Sequence, residues 1–161
     1  MFSTKALGGA HLLGYSLVFG ATCYQSFYAG IMAYKALNLD NFSALQNRLF
    51  PGYFGLQTAG SAFLMLTVPF VATRCHKVAL GISLVSALIN LVVILPKSQR
   101  VSAARAAQAA AEGKSWRDPE ISDELRALNK QFGHLHRISV LLNFATVFSL
   151  GYYGIKLGGR L

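Results

Sequence analysis

Long uncharged stretches, separated by short polar ones, set the plan of this chain. No charged residue stands between Lys5 and Lys35, and a helix over residues 7–34 would rise roughly 42 Å at ~1.5 Å per residue, more than a bilayer core of about 30 Å. A polar connection at 37–50 follows, in which Asp40 or Asn41 can cap a short interfacial helix. The next apolar stretch covers 53–73. Arg74, Cys75, His76 and Lys77 then read as a tight basic turn before a third run, 78–95, that carries no charge. A fourth covers 137–156. This spacing predicts an all-α fold: one membrane domain over residues 1–161, built as an integral membrane four-helix bundle.

The pattern between the third and fourth runs stays helical but becomes more polar. Residues 97–112 contain seven alanines and favour helix. Gly113 to Arg117 forms a turn, and Asp118 followed by Pro119 forms a helix start. From there Ile121, Leu125, Leu128, Phe132 and Leu135 recur at helical spacing and lead into the last run. The third and fourth helices are therefore expected to extend beyond the membrane as a helical hairpin over 97–135. Two prolines punctuate the plan. Pro51, within Leu49-Phe50-Pro51-Gly52-Tyr53-Phe54, lacks an amide hydrogen and predicts, with Phe50, a structural corner at which the chain enters the second span. Pro96 is expected to close the third.

Composition agrees with a lipid-embedded chain. Hydrophobic residues make up 53% and charged residues 13%, against about a quarter charged in soluble domains. The net charge of +9 is scattered between apolar runs rather than gathered on one face, which excludes nucleic acid as a partner and points to anionic lipid headgroups. Ten Lys and Arg residues fall with the loops after the first and third spans and five with the termini, so the long loop is expected to face the cytosol. The first apolar run is too long for a secretory signal and lacks a small-residue cleavage site, and the N-terminus is not a matrix presequence. An intracellular membrane, endoplasmic reticulum or mitochondrial outer membrane, is expected. Cys23 and Cys75 are expected to be free thiols.

Polar residues inside the spans carry the candidate chemistry. Ser83, Ser86 and Asn90 share one helix face, as do His136, Ser139 and Asn143. By helical depth Gln57, Asn90, Ser139 and Asn143 gather toward the loop side, with Arg48 and Tyr53 at the mouth, while His11 stands apart. Either these groups are interhelical glue, at about 0.6 kcal/mol each, or they line a small polar vestibule that binds a ligand. The candidate ligand-binding set is Arg48, Tyr53, Gln57, Asn90, His136, Ser139 and Asn143. His134 and His136 are two apart on a helix and cannot share a metal, and no carboxylate lies in any span, so no catalytic residue, metal or cofactor is expected. The small residues Gly14, Gly20, Gly30 and Gly60 favour close packing over a pore.

Several of these residues, in this order, carry a resemblance. His11, Gly20, Phe27 through Gly30, Leu49-Phe50-Pro51-x-Tyr53-Phe54, Asn90 six residues before Pro96 with Lys97 next, and His136-x-x-Ser139-x-x-x-Asn143 resemble the transmembrane protein 205-like family of small four-span proteins. The chain departs from that pattern at Thr22, where the family often has glutamine, and at Arg137, where it often has glycine. The resemblance implies a multipass protein of intracellular or plasma membranes without an agreed activity, some fungal relatives being associated with specialised metabolism. Two functions follow. The first is a non-enzymatic membrane protein that binds lipid, a small molecule, or a membrane-protein partner or second copy through the loop-side vestibule. The alternative is a histidine-dependent membrane enzyme or pathway accessory acting on an apolar substrate.

Overall fold

The computed structural model describes residues 4–159, with side chains from Ala6 onward; Arg160, counted above with the termini, lies outside them. The described chain is helical, without a β-strand. Helix α1 (Thr4–Tyr24) passes through a π-helical turn, Gln25–Ala29, into α2 (Gly30–Ala36). Then come α3 (Leu39–Leu66), α4 (Arg74–Ile89), a second π-helical turn at Asn90–Ile94, α5 (Leu95–Glu112) and α6 (Asp123–Gly158). Among the described residues three continuous helices are long and apolar enough to cross a bilayer: Ala6–Ala36, Arg74–Glu112 and Asp123–Gly158.

Cross-helix pairs fix the directions. Gly14 faces Phe63, Gly60 faces Val18, Gln57 bonds Thr22 and Ser26 bonds Tyr53, so one number falls as the other rises and α1 runs antiparallel to α3. Ser61 with Ser83 and Asn47 with Ser102 set α3 against α4 and α5 in the same sense. His76 against Tyr153 and Asn90 against Ser139 do so for α4 and α6. The apolar core of Val18, Leu64, Ala79, Leu80, Leu150, Tyr153 and Leu157 sits at the end nearest the termini. There Gly60 lets α3 approach α1 so closely that a Cβ would overlap Val18.

The chain does not turn at Pro51. Helix α3 continues through it, and the reason is local. A proline at 51 leaves the Asn47 carbonyl, four residues back, without its helical donor, and Gln99 of α5 supplies one instead, its Nε2 donating to that oxygen at 3.1 Å. Nor does Pro96 close a helix. The π-helical turn before it, in which the Leu95 amide donates to Asn90 O, lets the helix widen and continue into α5.

Boundaries move for capping reasons. The break between α3 and α4 is 67–73 and contains Pro69, while Arg74 to Lys77 form the first turn of α4 rather than a loop. Thr73 caps that turn, with the buried His76 ring reaching back to the Thr73 amide at 3.2 Å in a capping box. Asn38, not Asp40 or Asn41, caps α3 by accepting from the Asn41 amide. Ser122, not Asp118, caps α6; Asp118 instead accepts from the Glu120 amide within the loop. Gly113 ends α5 in the left-handed region at φ 62°. Cys23 and Cys75 are free.

Candidate ligand cavity

At the end remote from the apolar core the helices border a half-open cavity of about 770 Å³. Its walls come from 25–34, α3, the start of α5, the 113–122 loop and α6. Volume and lining fall in the range of small-molecule sites.

Its floor is a ring of side-chain hydrogen bonds. Tyr53 donates its hydroxyl proton to Asn143 Oδ1 at 2.8 Å, and Asn143 Nδ2 donates to Ser26 Oγ at 2.8 Å. With the Tyr53 proton committed, Ser26 must donate to Tyr53 Oη across 3.1 Å. Each group therefore donates once and accepts once around a closed loop. Gln57, wholly buried, reinforces it from below: its Nε2 lies 2.9 Å from Asn143 Oδ1, 3.0 Å from Tyr53 Oη and 3.3 Å from Thr22 Oγ1. The π-helical turn at 25–29 begins at this level and brings Gln25 and Ser26 into the lining. Gln25 reaches Gln46 of α3 at 3.4 Å.

The upper wall is cationic and aromatic. Arg105 is only 5% exposed, and its guanidinium carbon lies 4.3 Å from the Trp116 ring centre and 4.1 Å from that of Phe132. Arg117 lies 4.9 Å from Trp116 and donates to Tyr34 Oη at 3.4 Å. His136 lines the cavity and stacks parallel to Phe132, with ring centres 6.2 Å apart. No Asp or Glu lines the cavity among the described residues.

The residues expected from sequence divide accordingly. Tyr53, His136, Ser139 and Asn143 line the cavity, as does Phe50. Gln57 lies beneath the floor. Asn90 is buried in the second π-helical turn, its Nδ2 donating to Ser139 O at 3.1 Å, and is not part of the lining. Arg48 is exposed on α3 and does not line the cavity, nor do Pro51 and Pro96. Sequence reasoning missed the Arg105, Trp116 and Phe132 group. The signal was present: Arg105 is the one charge in the alanine-rich stretch 101–111, and Trp116 is the one tryptophan in the chain.

His11 stands apart as expected, near the termini. Thr67 commits its hydroxyl to Phe63 O at 2.7 Å, so the His11 Nδ1 proton is donated to Thr67 Oγ1 at 2.9 Å. Nε2 then accepts from Tyr153 Oη at 2.6 Å. His11 thus staples α1 to α6 and to the end of α3. Among the described residues no three His, Cys, Asp or Glu side chains converge as a metal site.

The chain is 29% identical over 151 residues to xanthocillin biosynthesis cluster protein D of Aspergillus fumigatus, covering 94% of this chain and 88% of that protein. No solved structure matches. Residues 13–107, which hold α2 to α4 and most of α1 and α5, match a family defined as a domain of unknown function, and the chain accordingly belongs to the DUF4149 family.

Proposed function

We propose that this protein is a non-enzymatic, four-span membrane protein whose loop-side cavity binds a lipid or an apolar small molecule. The observation that carries the reading is the cavity of about 770 Å³ above a hydrogen-bonded floor. A space this large, with a polar floor and aromatic walls, has the size and lining of a small-molecule site. In this reading α3 is the second span. It packs antiparallel to α1 and α4, and its polar first turns belong to the interface. The 97–135 hairpin then stands outside the bilayer, facing the cytosol of an intracellular membrane, as in the transmembrane protein 205-like plan.

Trp116 lines the cavity and is the single tryptophan, so its fluorescence reports on occupancy. Brominated amphiphiles, such as dibromostearate and its methyl ester, are expected to quench it saturably in detergent-solubilised protein. Gly133 also lines the cavity, and a Cβ there meets nothing within 4 Å. Gly133→Phe is therefore expected to narrow the space beside Phe132 and weaken quenching while helicity is retained. Absence of saturable quenching by every such probe would overturn the reading.

A second reading is an accessory or enzyme of a biosynthetic pathway, favoured by the name of the Aspergillus relative and by His136 in the cavity wall. Under it His136→Ala, which breaks no side-chain hydrogen bond described above, would abolish a pathway product while leaving the fold and probe binding intact. Loss of neither, or of binding alone, would leave the first reading in place.

A further inference from the structure

Arg105 is the anomaly of the cavity wall. A guanidinium carries five N–H donors and a charge that burial penalises heavily unless it is paired. Arg105 is 95% removed from solvent, yet the one ion pair among the described residues is Lys114 with Glu120 at 3.9 Å, and none of the described hydrogen bonds involves its side chain. Asp40 attracts it only at longer range, and Arg117 repels it. Two ring faces hold the guanidinium in place, which offsets part of its desolvation but satisfies none of its donors. It faces a cavity wall with a second arginine, a histidine and no acid. Its N–H donors therefore face the cavity, where an anion could pair with them.

We propose that the cavity takes an anionic amphiphile, its carboxylate or phosphate group on Arg105 and its apolar body along Phe42, Phe50 and Phe144 toward the Tyr53 and Asn143 floor. This rests on the reading of the cavity as a binding site and names the class of its ligand. Planar bidentate pairing with the guanidinium fork explains why arginine, rather than lysine, stands there. The aromatic pair fixes the fork before the ligand arrives. A free fatty acid and an anionic phospholipid share this chemistry.

The test uses the full chain in uncharged detergent at mildly alkaline pH, with Trp116 quenching as readout. Dibromostearate is expected to bind at least about tenfold tighter than its uncharged methyl ester and to be displaced by oleate, the gain expected of a charge-assisted hydrogen bond. Arg105→Gln is expected to erase that difference, and Arg105→Lys to retain part of it. Brominated phosphatidic acid set against brominated phosphatidylcholine decides the source. A gain for phosphatidic acid above that of the free acid assigns a lipid headgroup, and a gain for the free acid alone assigns a fatty acid. Equal affinity of acid and ester in the wild-type chain, which requires no folded variant, overturns the proposal while keeping the cavity as a site. No saturable quenching by any probe overturns both.

Discussion

Replacing Asn143 by leucine opens the hydrogen-bonded ring at the cavity floor, and its cost can be worked from the contacts. The change removes the bonds from Tyr53 and Gln57 to Oδ1 and from Nδ2 to Ser26, at 2.8, 2.9 and 2.8 Å. Interhelical hydrogen bonds in membranes average about 0.6 kcal/mol and reach about 1.7, so the expected loss is about 2 kcal/mol, with an upper bound of about 5. Leucine has the same branching and is somewhat larger, so none of the loss comes from a void. Ser26→Ala removes two of the ring's bonds and should cost about 1 kcal/mol. Because both changes break the same loop, Ser26→Ala added to Asn143→Leu should cost less than it does alone. The assay is reversible unfolding by sodium dodecyl sulfate in mixed micelles, followed by far-ultraviolet circular dichroism. An Asn143→Leu protein as stable as wild type, or strict additivity of the pair, would show that the polar residues do not act as a ring.

Other perturbations test other parts of the fold. Gln99→Leu should cost about 1 kcal/mol by orphaning the Asn47 carbonyl; Pro51→Ala restores the missing amide, so it should stabilise the Gln99→Leu protein more than the wild type, and equal effects in both would refute the donor replacement at Pro51. Gly60→Ala should destabilise by about 1–3 kcal/mol through overlap with Val18, against the gain of about 1 kcal/mol that helix propensity alone predicts; a stabilised protein would mean that α1 and α3 are less closely packed. Glu112, in the polar end of α5 beyond its apolar stretch, is held below the usual carboxylate range by hydrogen bonds from the Ser122 hydroxyl and amide, then by Gln108. A lowered folded value means that the unfolded chain binds the proton more readily, so this contribution is present above the ordinary glutamate value of about 4.3 and is lost as the pH falls through the lowered one. Trp116 emission should therefore titrate in that acid window and flatten in Glu112→Gln; an unchanged titration would show that another group controls the loop.

How far the sequence could be read depended on the range of the interaction involved. Apolar periodicity is local, so the helical character and the apolar, membrane-capable runs were legible, and the helix through 97–112 was expected. Caps were less legible. Asn38, Asp40 and Asn41 are all competent, as are Asp118 and Ser122, and the choice rests on where the neighbouring helix lets the chain turn. Pro51 misled for the same reason. Its local chemistry reads as a corner, and Gln99, 48 positions further along the chain, supplies the donor that the continuous helix leaves unfilled there.

Polar residues on helix faces could be assigned to a level by counting turns, and Tyr53, Ser139 and Asn143 line the same cavity. Counting turns could not show that Arg48 faces away, that Gln57 lies under the floor, or that Ser26 closes the ring, because rotation about each helix axis is set by packing. Most of all, nothing local joins Arg105 to Trp116 and Phe132. The sequence by itself determined which segments are helical and apolar, since that depends on neighbours three and four residues apart. Tertiary structure alone decided that the packing is tight at one end and open at the other, and that an unpaired arginine faces the opening. Those properties belong to the space between helices, which no single segment encodes.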